Sequence, residues 1–377
     1  MLRRIAAMHP HRRRPLLFAF ATLVFVALSA ASTPTLLSLP SVRIEAGEIE
    51  GANFAVALPD PWNRNVLLHA HGLRPDDAPM VADLRLDDAA HQRLLAEGWM
   101  IATTSYRRNG IVVRDAMADL DAVRERIETL FGAPGLVLLV GESMGGAIVT
   151  LLAERPPGRY HGALAIGAAL HVRDAENPLE PTAAPSIPLL FLTNQSEYEG
   201  PAAYVAAAHA APVPPAIWKV ARDGHVNVNH LERTQAMEAL IGWITTDRIE
   251  RERDGTVVIE GPDGTAGAVF DGDTVHGAVA SVSDPYGNMF TTFRPADFAA
   301  LGLKKGDTFA LEAGGQTFSV RYGDDFGDVA RGEWIAFDRA EGVVLIARNF
   351  GNAAQTAGVA AGDALAVRRG DVDTDRD

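Results

Sequence analysis

Leu136-Val-Leu-Leu-Val-Gly141-Glu142-Ser143-Met144-Gly145-Gly146-Ala-Ile-Val149 is the stretch that sets the fold. Residues 136–140 are an unbroken apolar run of strand length, as a strand buried on both faces requires. A second apolar run resumes after Gly146 and continues at helical length. Between them Ser143 stands two residues from Gly141 and two from Gly145. That spacing suits a sharp strand-to-helix turn, because side chains at the flanking positions would collide across the bend. Such a turn lifts the hydroxyl to the amino end of the helix, where backbone N–H groups favour negative charge. The stretch therefore predicts a parallel α/β sheet with a nucleophilic serine, Ser143, above it.

Outward from this turn, short apolar runs at 65–70, 99–104, 163–166, 188–193 and 216–220 read as further strands, with helical patterns between them. Residues 115–131 carry Met117, Leu120, Val123, Ile127 and Leu130 at helical spacing, and Gly132 follows where a helix stops. The α/β region spans 42–247, and a charged stretch at 248–256 reads as a linker. From 257 to 369 the texture changes to short β segments, at 274–282, 288–293, 308–311, 317–322 and 343–347, separated by Gly-Asp and Gly-Gly turns. These predict a second, small all-β barrel or sandwich. Residues 370–377 form an acidic tail.

A serine hydroxyl needs a base within hydrogen-bond reach, and in a sheet of this kind the base follows the last strand. His225 meets that condition: it sits in Lys219-Val-Ala-Arg-Asp223-Gly224-His225, a strand, a turn and a histidine. His171, His209 and His230 lack a preceding strand. The orienting acid belongs just past the strand before, where Thr193-Asn-Gln-Ser-Glu197 places Glu197, giving the chain order Ser143, Glu197, His225. Glu199 and Asp223 stay open as alternative acids. Oxyanion donors are expected from the N–H of Met144 and from the turn after Val66-Leu-Leu-His69-Ala-His71-Gly72, with Leu73 first and Arg74 second. His69 and His71 have the spacing of a metal pair, but no third ligand completes a site, so neither a metal nor another cofactor is expected. Tyr106, at the end of Ile101–Ser105, is a candidate substrate contact, with a capping aromatic as the alternative.

Through Pro61-Trp62-Asn63, His71-Gly72, the Gly141–Gly146 turn and Asp223-Gly-His225, residues 42–247 resemble the α/β-hydrolase superfamily, and within it secreted esterases and related serine hydrolases. The resemblance implies a mostly parallel sheet and acyl-enzyme chemistry on a carboxylic ester. A peptidase or amidase with the same triad is the alternative. Only about 20 residues separate the strand ending near Ile166 from the next, where many relatives insert a helical cap, so little or no cap and an open site are expected.

The second region carries Gly277-Ala-Val-Ala-Ser-Val-Ser-Asp284-Pro-Tyr286-Gly287-Asn288, Leu303-Lys-Lys-Gly306-Asp307 and Arg348-Asn349-Phe-Gly351-Asn352-Ala353-Ala354, and it ends in Gly362-Asp363. By these motifs it resembles the C-terminal domain of the S-adenosylmethionine hydroxide adenosyltransferases. The resemblance implies nucleoside contacts from Asn288, Arg348 and Ala353, although that family's N-terminal domain is replaced here by a hydrolase. A nucleoside-binding protein with a vestigial hydrolase is accordingly the second reading. Oligomerisation through the β domain, giving a homo-oligomer, is the other role considered.

The first residues hold Arg3, Arg4, Arg12, Arg13 and Arg14, then an apolar run from Leu16 to Leu28 and small residues after it. This is the pattern of a signal peptide over 1–31, and it predicts periplasmic or secreted localisation with no stable membrane insertion after cleavage. The formal charge is −14, and more negative still without the leader arginines, which argues against nucleic acid as a partner. With no cysteine, thiol nucleophiles and disulfides are excluded.

Overall fold

The computed structural model describes residues 41–259, 268–283 and 285–369. The expected signal peptide and acidic tail lie outside the described residues. The first sheet has nine strands: β1 (Ser41–Ile49), β2 (Ala52–Asp60), β3 (Val66–Ala70), β4 (Met100–Thr104), β5 (Val137–Glu142), β6 (Gly162–Ile166), β7 (Leu189–Asn194), β8 (Ala216–Val220) and β9 (Glu252–Asp254). Their order in the sheet is β1-β2-β4-β3-β5-β6-β7-β8-β9. From β4 to β9 all neighbours are parallel, and β2 is antiparallel to both β1 and β4. The parallel strands β3 to β6 are nearly or wholly buried along their length, which explains why they read as unbroken apolar runs.

Five helices cover this sheet: α1 (Ala89–Ala96), α2 (Val113–Phe131), α3 (Met144–Ala153), α4 (Glu199–Ala207) and α5 (His230–Thr246). On one face α2 and α3 pack Met117, Leu120, Val123, Ile127, Ile148 and Leu152 onto the sheet, joined by Tyr204 of α4. On the other, α1 and α5 contribute Leu94, Leu95, Met237, Leu240 and Trp243. The chain leaves β3 toward β4 on one side and later returns to β5 on the other, so the crevice between the carboxyl ends of β3 and β5 is a topological switch point, where ligands bind in open α/β sheets.

The second sheet contains β10 (Val269–Asp271), β11 (Thr274–Val282), β12 (Met289–Thr291), β13 (Thr308–Ala313), β14 (Gln316–Tyr322), β15 (Trp334–Asp338), β16 (Val344–Arg348) and β17 (Ala364–Arg368), with helices α6 (Pro295–Ala300) and α7 (Ala353–Ala357). Pairing of β17 with β11 closes seven of these strands into a barrel, and β10 lies outside the ring on β11. Phe298 of α6 plugs its core, with ring centroids 5.1 Å from Phe309 and 5.0 Å from Tyr322.

One expectation is corrected and one is extended. The stretch 248–256, read as a linker, contains β9, which pairs in parallel with β8 as the last strand of the hydrolase sheet. Its residues are charged because an edge strand needs only backbone pairing, and Arg253 lays its guanidinium over the Trp218 ring at 4.5 Å. The second concerns openness. Residues 167–188 hold no helix, so a cap is absent, yet barrel residues pack against the loops that carry the site, as described next.

Candidate active site

Ser143 occupies the turn between β5 and α3 with φ +56°, a left-handed value that a non-glycine residue adopts only under local constraint. The flanking glycines explain how this is possible. A Cβ on Gly145 would fall 2.0 Å from the carbonyl oxygen of Ala70, and one on Gly141 would fall 2.1 Å from that of Gly145. Both obstacles are backbone, so the turn can pack this closely only with glycine at each position. Ser143 is pinned on both sides, its N–H donating to Ile166 O at 3.0 Å and its carbonyl accepting from Ala169 N–H at 3.0 Å.

His225 comes from the loop after β8, more than eighty residues downstream, and its Nε2 lies 2.8 Å from Ser143 Oγ. On the other side of the ring Nδ1 lies 2.6 Å from Glu197 Oε2, and Glu197 Oε1 accepts the N–H of Val226 at 3.2 Å. Glu197 sits on the single 3₁₀ turn that follows β7. A carboxylate at Nδ1 requires the proton there, which leaves Nε2 as the acceptor for the serine hydroxyl. Burial pulls the His225 pKa down, but the hydrogen bond and charge of Glu197, with Asp325 and Glu142 farther off, outweigh it and leave the pKa raised. The imidazole side chain is 39% exposed, so the pair is reachable from solvent.

Of the alternative acids, Asp223 accepts from Gln195 Nε2 at 3.0 Å and Glu199 is exposed at the start of α4; neither bonds to His225. His171, His209 and His230 are exposed elsewhere. Met144 is the first residue of α3, where backbone N–H groups have no intrahelical partner. The turn carrying Leu73 is beside it: a Cβ built on Gly72 would lie 3.3 Å from Ser143 Cβ. Arg74, whose backbone N–H is the other donor considered, follows Leu73 on the same turn, and its buried side chain donates to Val81 O.

Tyr106 is corrected as a substrate contact. It is 0% exposed, stacked on His71 with centroids 3.9 Å apart, and its hydroxyl donates to His71 O at 3.1 Å. An aromatic ending a central strand is drawn into the core, and here it braces the turn before Gly72 from below. Burial and the nearby Arg74 push His71 down to a pKa of about 3, so it is a neutral packing group. His69 packs edge-on against His91, with centroids 5.7 Å apart, and among the described residues no group of three or more His, Cys, Asp or Glu side chains could hold a metal.

In the barrel, the Gly287-Asn288 turn and the start of α7 come together, with Ala354 N–H donating to Gly287 O at 3.0 Å, so Asn288 and Ala353 are near neighbours. The Arg348 guanidinium is committed within the barrel, to Gly332 O at 2.7 Å and Thr356 Oγ1 at 2.9 Å. Contacts that the sequence did not announce link the two regions. Asn227 is hydrogen-bonded to Asp338 and Ala340, Arg74 lies 5.7 Å from the Tyr286 ring, and Asp325 contributes to the field at His225. No local pattern marks these contacts, because the Asn227 partners are 111 and 113 residues away in sequence.

This sheet order, with a serine on the turn after β5, an acid after β7 and a histidine after β8, is the α/β-hydrolase fold, joined here to a closed β-barrel. Residues 277–366 match the family model of the SAM hydroxide adenosyltransferase C-terminal domain. Among solved structures the chain is similar to an uncharacterised conserved protein from Thermotoga maritima, at 27% identity over 34% of this chain and 48% of that one, with a TM-score of 0.27. It is also similar to an esterase from Pyrococcus furiosus (14% identity, 56% of this chain and 90% of that one, TM-score 0.41). A third similarity is to an acylaminoacyl peptidase from Pyrococcus horikoshii (12% identity, 54% of this chain and 42% of that one, TM-score 0.42). The chain thus spans less than half the length of the Thermotoga protein. No curated protein matches it.

Proposed function

We propose that this chain is an exported serine hydrolase that cleaves carboxylic esters. The reading is carried by one observation, the continuous hydrogen-bonded line from Ser143 Oγ through the His225 ring to Glu197. In this mechanism Ser143 Oγ attacks the ester carbonyl carbon as its proton passes to His225 Nε2. Glu197 stabilises the resulting imidazolium, and the N–H groups of Met144 and Leu73 receive the developing oxyanion. Collapse of the tetrahedral intermediate breaks the bond to the alkoxy oxygen, which leaves as alcohol with the proton from His225. Water then attacks the acyl-enzyme by the same route and releases the acid. Export rests on the leader pattern at 1–31.

A fluorophosphonate probe is expected to label the wild type covalently and to leave Ser143→Ala unlabelled, with p-nitrophenyl esters turned over far faster than the matching peptide anilides. A folded wild type that does not label overturns the catalytic assignment, and preference for the anilides replaces esterase by amidase.

A further inference from the structure

The loop bearing His225 is under backbone constraint. Val226, the next residue, has φ +51°, and a β-branched side chain in the left-handed region is strained by roughly 1–3 kcal/mol. Such a conformation persists only where its surroundings hold it. Part of the hold comes from the turn after β7: Asn194 Oδ1 accepts Asn227 N–H at 2.8 Å, Asn194 Nδ2 donates to Asn227 O at 2.8 Å, and Ser196 Oγ bonds Gly224. The rest comes from the barrel. Asn227 is 3% exposed, and its side-chain amide makes three hydrogen bonds. Nδ2 donates to Asp223 O at 2.9 Å, across its own loop, and to Asp338 O at 3.1 Å. Oδ1 accepts the N–H of Ala340 at 2.8 Å. The segment before the 3₁₀ turn Phe326–Asp328 closes from another side, with Asp324 O only 3.3 Å from where a Cβ on Gly224 would stand. The barrel also reaches the oxyanion turn, where Tyr286 faces Arg74 at 5.7 Å and Arg331 approaches Asp77 at 3.8 Å.

From this geometry we infer that the barrel is a working part of the catalytic centre: through Asn227, a positioning residue, it holds the His225 loop in the conformation that aims Nε2 at Ser143. The inference rests on the serine-hydrolase reading. Asn227 touches neither substrate nor the reacting atoms, and it acts by fixing His225. A loss of aim of about 1 Å is enough to lower a rate by roughly 100-fold.

The test compares Asn227→Ala with Ala340→Pro, which deletes the N–H on the barrel side and changes no hydrolase residue. Turnover of a p-nitrophenyl ester is normalised to the sites that a fluorophosphonate labels after exhaustive reaction, so that any unfolded fraction drops out. Each variant is expected to lose about 10- to 100-fold in kcat with KM within about threefold of wild type. The double variant is expected to be no slower than the slower single, because both changes open one clip. If either variant does not fold, the other carries the comparison. Unchanged kcat per labelled site, a loss confined to KM, or additive losses in the double variant would overturn the positioning role while leaving a labelled, active wild type as a serine hydrolase. A wild type that neither labels nor turns over removes the underlying reading, and the positioning role with it.

Discussion

At the residue scale, the raised pKa of His225 makes a prediction whose sign can be worked out. In the proposed mechanism His225 must be neutral to accept the serine proton, so kcat/KM is expected to rise with pH as it deprotonates. Its inflection is expected above 6.5, the ordinary histidine value, because Glu197 overcomes the effect of burial. Glu197→Gln removes the charge, burial then dominates, and the inflection moves to lower pH, while kcat falls by up to about 10⁴-fold as the ring loses its orienting partner. The linkage to stability has the matching sign. A raised folded pKa stabilises the protein fully below the unfolded value and ceases to do so as pH rises through the folded one. The stability gap between wild type and Glu197→Gln is therefore expected to narrow over that window. Urea denaturation across that range measures the gap; a pH–rate profile for the two proteins locates the inflection, and an unmoved inflection would exclude Glu197 as the partner that sets the base. That Ser143, His225 and Glu197 would come within hydrogen-bond reach of one another was legible in the sequence because each follows the end of a strand, where chain order restricts the choices. Tyr106 was misread for a related reason: a residue just past a strand can turn either to the crevice or to the core, and only the His71 ring and carbonyl beneath it decide.

At the scale of elements, the loop from β8 to α5 is held by a buried acid. Glu232 side-chain exposure is 0%, and both its oxygens accept from Arg222, each at 3.0 Å. The same carboxylate accepts Asn229 N–H at 2.8 Å, completing the capping box of α5, and Val257 N–H at 2.9 Å beyond β9. One side chain thus ties the His225 loop, the helix after it and the segment leading to the barrel. Glu232→Ala leaves Arg222 without its carboxylate, bonded only to Asn227 O and Val257 O, and the cap half-made, and it is expected to destabilise the protein by about 2–4 kcal/mol. Urea denaturation monitored by tryptophan fluorescence measures this, and a loss below about 1 kcal/mol would show the acid to be dispensable. The central parallel strands were legible as apolar runs, whereas β1, β2 and β9 were not. β1 is an edge strand in which Val42, Ile44 and Ala46 alternate with Arg43 and Glu45 over too few residues to stand out, and β9 is three charged residues with no hydrophobic period at all; backbone pairing holds such edges. β10, β15 and β17 were not singled out either, and length alone does not account for β15 and β17, since β3, β4, β6, β8 and β16 are equally short.

At the scale of the molecule, two regions that read as separate modules meet at the loop that carries the base. An open site was the reasonable expectation from the short β6–β7 connection, since nothing local says where a domain that follows in sequence will pack. The hydrogen bond from Ala340 N–H to Asn227 Oδ1 allows that contact to be observed directly. A buried, bonded amide exchanges with deuterium only when its bond opens, so Ala340 reports separation of the barrel from the His225 loop. The N–H of Asn227, bonded to Asn194 Oδ1, reports movement of the loop against the hydrolase. If the two regions share one mechanical unit, a fluorophosphonate adduct on Ser143, which packs against His225 and restrains its loop, must slow exchange at Ala340 as well as at Asn227, because a coupling free energy acts in both directions. Exchange in β13, on the ring but away from the interface, is expected to stay unchanged. Slower exchange at Asn227 with an unaltered rate at Ala340 would mean that the loop is held by the hydrolase alone and that the barrel merely lies beside it.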